Sequence, residues 1–95
     1  MATIGVVTLE LRLENSHSLK DKRHVIESLK NRLRNKFNVA VAEIDHQDLW
    51  QRAAVAAVTV SSDHTHAQKV LQSVEQEAAW LLGPELAGAT VEWLS

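Results

Sequence analysis

Ninety-five residues, 45% hydrophobic and 23% charged, suffice for one packed core and too few for two, burying roughly 60 to 65% of the extended-chain surface. The chain has no Cys, which excludes disulfides, thiolate catalysis and cysteine-held zinc together and fits a reducing compartment. The formal net charge of −2 hides an asymmetry: seven basic and two acidic residues lie between Lys20 and Lys36, giving +5 there and −7 over the rest.

The first residues carry no basic start or long apolar run, and no stretch reaches 18 apolar residues, so the expectation is an unexported cytoplasmic protein with no membrane contact. From Thr3 to Leu13 the chain alternates, with Val7, Leu9, Leu11 and Leu13 on one face and Ile4, Val6, Thr8, Glu10 and Arg12 on the other. That period of two predicts a long strand. Ser18 followed by Asp21 resembles a capping box with a shortened acid, so a helix is expected to begin near Leu19. Ile26, Leu29 and Leu33 form its apolar stripe, with Val25 at the edge and Phe37 beyond the end.

Asn38 to Ile44 reads as a second strand, Asp45 to Leu49 as a polar turn, and Trp50 to Ser61 as a third strand completing a hairpin. Ser62 and Asp63 are candidate caps for a second helix, whose Ala67, Val70, Leu71, Val74, Ala78 and Leu81 follow the helical spacing until Gly83 and Pro84 stop it. A last strand from Ala89 to Leu94 places Val91 and Trp93 on one face. The order β-α-β-β-α-β predicts one α+β domain over residues 1–95, a ferredoxin-like antiparallel four-stranded sheet with both helices on one face. The third strand is apolar or small on both faces, with Ala54, Ala56, Val58 and Val60 on one and Ala53, Val55, Ala57 and Thr59 on the other. A strand with helices on only one side should alternate more sharply, so either a second subunit covers the bare face or its alanines tolerate water.

The segments Ser18-Leu19-Lys20-Asp21-Lys22-Arg23, Phe37-Asn38-Val39-Ala40-Val41-Ala42-Glu43 and Asp48-Leu49-Trp50-Gln51-Arg52-Ala53, followed by Val60-Ser61-Ser62-Asp63, resemble the small bacterial proteins called YlxP-like. The resemblance runs from Thr3 to about Ala79. It implies a ferredoxin-like fold, and gene neighbourhoods shared with translation initiation and ribosome maturation factors, which favours RNA or the ribosome by association. It brings no reaction, catalytic residue or cofactor with it.

On the first helix Arg23, Lys30 and Arg34 lie along one flank of the apolar stripe and Arg32 and Lys36 along the other, where long cationic side chains commonly cover the core edge with their methylenes. Glu27 can pair with Arg23 or Lys30. Lys20, Lys22 and Arg23 are different. They stand at the positive end of the helix dipole, at a cost of about 0.3 to 1 kcal/mol per cation, where free N–H groups already attract anions. They are candidates for a phosphate backbone, with Lys30, Arg34 and Arg52 as further ones. Lys22 falls inside the apolar stripe, which predicts either a later helix start or a side chain reaching along the sheet edge.

At the hairpin, Asp48, Trp50, Gln51 and Arg52 admit two readings. In one, Asp48 bonds the backbone, Arg52 offsets Glu43 or Asp45, and Trp50 is buried; in the other, Trp and Arg anchor a partner. His64 and His66 diverge at i, i+2 on a helix, no metal site is expected, and no nucleophile, base and orienting acid share a recognisable spacing. The expected function is a non-enzymatic RNA- or ribosome-associated module without a cofactor, contacting phosphate through its basic first helix. The alternative is an interaction or regulatory domain that forms a homo-oligomer through the open sheet face, and a third reading is a small anionic ligand at the helix start.

Overall fold

A computed structural model describes residues 1–95. The elements run β1 (Thr3–Arg12), α1 (Leu19–Lys36), β2 (Ala40–Asp45), β3 (Arg52–Ser61), α2 (His64–Leu82), a 3₁₀ turn (Gly83–Glu85) and β4 (Leu86–Trp93). The sheet is antiparallel throughout, in the order β2-β3-β1-β4, so the two longest strands stand in the middle. This is the ferredoxin-like arrangement expected. No helix is long and apolar enough to cross a membrane.

The core forms where the apolar faces of β1 and β3 meet the helices: Val7, Leu9, Leu11, Leu13, Ala53, Val55 and Ala57 pack with Ile26, Leu29, Leu33, Leu71, Val74 and Ala78. Small residues on β3 let the helices approach, while the leucines of β1 fill the space between them. Gly5 is the close-contact point. A Cβ there would stand 2.5 Å from Cζ3 of Trp93, which crosses over it from β4.

Ser18 caps α1, its hydroxyl accepting from the Asp21 N–H at 3.0 Å. The Asp21 carboxylate accepts from His17 N–H, one residue before the Ser18 N–H that a standard capping box uses. Asp63 caps α2 by accepting from Thr65 N–H. Gly83, at φ 57, ends α2 in a conformation that glycine adopts without a Cβ penalty.

Three strand starts differ from the sequence expectation. β2 is shifted to Ala40–Asp45. β3 starts at Arg52 rather than Trp50, because residues His46 to Leu49 close a turn through a 3.0 Å bond from Leu49 N–H to His46 O, and ladder bonding begins only with Leu13 N–H to Gln51 O. β4 starts at Leu86 rather than Ala89, since the 3₁₀ turn delivers the chain directly beside β1, where Leu86 pairs with Leu11.

On the face away from the helices, Ala54 is 2% and Ala56 8% exposed. Ala54 lies between Glu10 and Asp45, and Ala56 between Thr8 and Ala42. Their methyl groups are shorter than most of the neighbours that shelter them, so these alanines are buried within a single chain.

Candidate nucleic-acid interface

Two separated stretches of sequence meet at one end of the sheet: the β1–α1 connection with the first turn of α1, and the β2–β3 loop. Lys22 joins them. Its side chain is 3% exposed, and Nζ donates to His46 O at 2.6 Å and Leu49 O at 2.7 Å, with Glu43 Oε2 at 2.8 Å. Glu43 Oε2 is buried and lies off hydrogen-bonding geometry, so that third contact is coulombic. Two of the three ammonium protons go to main-chain oxygens of the same chain, and the Glu43 carboxylate balances the charge. Lys22 is therefore withdrawn from the proposed anion cluster: nothing of its charge faces outward. The expectation that it reaches along the sheet edge is what the structure shows.

The loop is braced elsewhere too. Gln51 Nε2 donates to Glu14 O and Ser16 O, both at 3.3 Å, which ties it to the β1–α1 connection. His46 sits at φ 63, a left-handed conformation that His tolerates better than branched residues, and this turns its carbonyl toward Lys22. On this scaffold Leu49 and Trp50 are 45% and 52% exposed. The reading that buries Trp50 is thus corrected: the turn ends before Trp50 can enter the ladder. Asp48 makes no side-chain hydrogen bond; it is Asp45 whose carboxylate accepts from His46 N–H. Arg52 forms no salt bridge with Glu43 or Asp45.

Arg52 instead stands directly opposite Arg12 in the β1–β3 register, on the open face. Because Leu13 and Gln51 are joined by a ladder bond, Arg12 and Arg52 form a non-hydrogen-bonded pair, the type with Cα atoms only about 4.5 Å apart. Neither arginine has an ion pair, and both are exposed. Like charges in this position repel.

The cations of α1 divide. Arg32 and Lys36 both bind the Glu77 carboxylate on α2, and Arg32 lies 4.6 Å over the Trp80 ring. The Lys36 and then the Arg32 hydrogen bond hold the Glu77 carboxyl below its ordinary value. Lys30 stands 3.7 Å from Glu27, and Arg34 donates to Asn31 at 3.1 Å. Lys20 and Arg23 are exposed, without an ion pair, and border a shallow hollow of about 290 Å³ with His24 and Glu27.

Of the candidate residues, the structure gathers Lys20, Arg23, Asp48, Trp50, Gln51 and Arg52 at one end of the molecule. It sets Lys30 and Arg34 further along α1. Arg12 and His46 were missed. Their signal was the alternation that puts Arg12 on the polar face, but the partner across the ladder required the register.

The fold and this end of the sheet define a small ferredoxin-like α+β module with an open face and unpaired cations at one end. The chain belongs to the family described as Protein of unknown function (DUF503), whose pattern matches residues 4–87. It is 41% identical over 71 residues to "Uncharacterized protein YlxP" of Bacillus subtilis (strain 168), covering 75% of this chain and 77% of that protein. Among solved structures, the fold resembles the de novo designed protein Foldit4, with TM-score 0.61 at 10% identity over 100% of this chain and 98% of that one. It also resembles a C-terminal segment of the alpha subunit of aIF2 from Pyrococcus abyssi, with TM-score 0.55 at 15% identity over 98% of this chain and 49% of that one. A dimeric ferredoxin-like protein of unknown function from Thermobifida fusca gives TM-score 0.51 at 15% identity, over 97% and 91% of the two chains.

Proposed function

We propose that this protein is a non-enzymatic RNA- or ribosome-associated module that contacts the phosphate backbone with the basic pole at the start of α1. The observation that carries the reading is the division of the cations. Arg32 and Lys36 are matched within the chain, whereas Lys20 and Arg23 are exposed and unmatched beside a helix N-terminus. A phosphate there offsets both the side-chain charges and the dipole. The absence of a recognisable catalytic constellation in the residue order favours a binding role over a reaction.

The test is binding of a fluorescent RNA measured across a salt series for the wild type and the Lys20→Ala/Arg23→Ala variant. The expected outcome is salt-sensitive binding that weakens about tenfold in the variant. Binding indifferent to salt, or unchanged in the variant, overturns the reading; where the expected loss is seen, co-sedimentation with ribosomal subunits checks the larger partner.

A homodimer through the open sheet is a second reading, favoured by the apolar end of that face, where Ile4 pairs with Val60 and Val6 with Val58, and Val60 is 56% exposed. Light scattering at several concentrations checks it: association that Val60→Asp abolishes supports the dimer, and a strict monomer removes it.

A further inference from the structure

The open face has a second cationic feature that α1 does not include. Arg12 and Arg52 face each other across the two central strands, and neither forms an ion pair. They line a hollow of about 290 Å³ that also has His46 on its wall and Gly88 toward β4. A Cβ on Gly88 would meet nothing within 4 Å, so the space above the sheet is open. Arg52 also lines a second hollow, of about 560 Å³, together with Trp50 and Asp48. One arginine is thus shared between a concavity with an aromatic face and a concavity with a second arginine. The Trp50 loop is not slack, since Lys22 and Gln51 pin it by four hydrogen bonds to main-chain oxygens.

We infer that this surface is a binding site for single-stranded RNA, in which a base stacks on Trp50 and the adjoining phosphate bridges Arg12 and Arg52. The inference rests on the RNA reading above and gives it a second, distinct contact. An unpaired strand suits the site for three reasons. A splayed base presents the π-face that Trp50 can stack on, which a duplex hides. Two guanidinium groups held at non-hydrogen-bonded strand spacing offer donors from both sides of one phosphate, and the anion removes their mutual repulsion. Glu10 and Asp48, each bordering one of the hollows, are acceptors for the N–H groups of an unpaired base and for 2′-hydroxyls, groups that a bare phosphate lacks. Fixing the loop in advance means that little ordering remains when the strand binds.

The experiment titrates a fluorescein-labelled oligouridylate, a duplex RNA of the same length and inorganic phosphate into wild type, Arg12→Gln/Arg52→Gln, Trp50→Ala and, as a control outside the site, Lys69→Ala. The expected result is oligouridylate binding that falls about tenfold in the double arginine variant and several-fold in Trp50→Ala, with Lys69→Ala unchanged. Urea unfolding supplies the independent readout. Because the arginines are unpaired, Arg12→Gln/Arg52→Gln should be no less stable than wild type, so a binding loss is not a folding loss. Salt-sensitive binding that depends on Lys20 and Arg23 but ignores both the arginine pair and Trp50 overturns this site and leaves the broader reading standing. No RNA binding by the wild type overturns both. Preference for duplex, or phosphate binding without oligouridylate binding, also overturns the single-strand site.

Discussion

At Lys22 a cation occupies the helical position that the spacing reserves for an apolar side chain, in line with Ile26, Leu29 and Leu33. The site is solved by polar partners: two carbonyl oxygens from the β2–β3 loop and the Glu43 carboxylate. Removing one member of such a set leaves the others desolvated and unmatched, which is costlier than never having had the set. Lys22→Met, which keeps the length and the methylene packing, is expected to lower stability by about 2 to 3 kcal/mol in urea unfolding. The double variant Lys22→Met/Glu43→Met should recover part of that loss, since it removes the stranded charge. Equal loss in both would show that Glu43 is not coupled to Lys22. The same substitution frees the loop that carries Trp50, so Lys22 supports the candidate interface without touching a ligand.

At the scale of elements, α1 and α2 meet through one acid. Glu77 on α2 receives Lys36 and Arg32 from α1, and these hydrogen bonds hold its carboxyl below the ordinary value of 4.5. A carboxyl that loses its proton more readily in the folded than in the unfolded chain adds stability that is complete above the unfolded value and disappears as pH falls through the folded one. Glu77→Gln should therefore be less stable than wild type at neutral pH, and the difference should close in strong acid. Thermal melts across that range check the sign, and a difference that persists in acid would assign the loss to packing. Added salt should shrink the neutral-pH difference, because Lys36 lies open to solvent. The same ion pairs explain why the basic flank formed by Arg32 and Lys36 is not part of the interface: their charge is already matched.

For the whole molecule, a net charge of −2 sets a limit on RNA binding. At the β1–α1 and β2–β3 connections four unpaired cations, Lys20, Arg23, Arg12 and Arg52, can meet phosphate. With a slope of about −0.7 per neutralised phosphate for single strands, the logarithm of affinity against that of salt should fall with a slope no steeper than about −3. A steeper slope requires cations away from this pole, such as Arg34, or ones that the structure places in ion pairs. The opposite end of the open face, with Ile4, Val6, Val58 and Val60, has Glu92 beside Val6 and no cation, so self-association there and RNA at the basic pole would use different ends of one sheet.

Most of the fold was legible because hydrophobic periodicity depends on local geometry alone: strands bury every second residue and helices one stripe, so β1, both helices and the element order follow from spacing. The strand ends were less legible, since Trp50 reads as strand by residue type but is excluded by a turn that closes at Leu49. Of the candidate site, Lys20 and Arg23 were readable as cations placed against the helix dipole. The sequence by itself thus determined the secondary structure, the buried stripes and the concentration of charge on α1. Tertiary structure alone decided that Lys22 points inward and that Trp50 is exposed. It also decided that Arg12 and Arg52, forty residues apart in the chain, face each other. Pairing across a ladder and the satisfaction of a buried ammonium are relations between distant segments, and no local pattern encodes them.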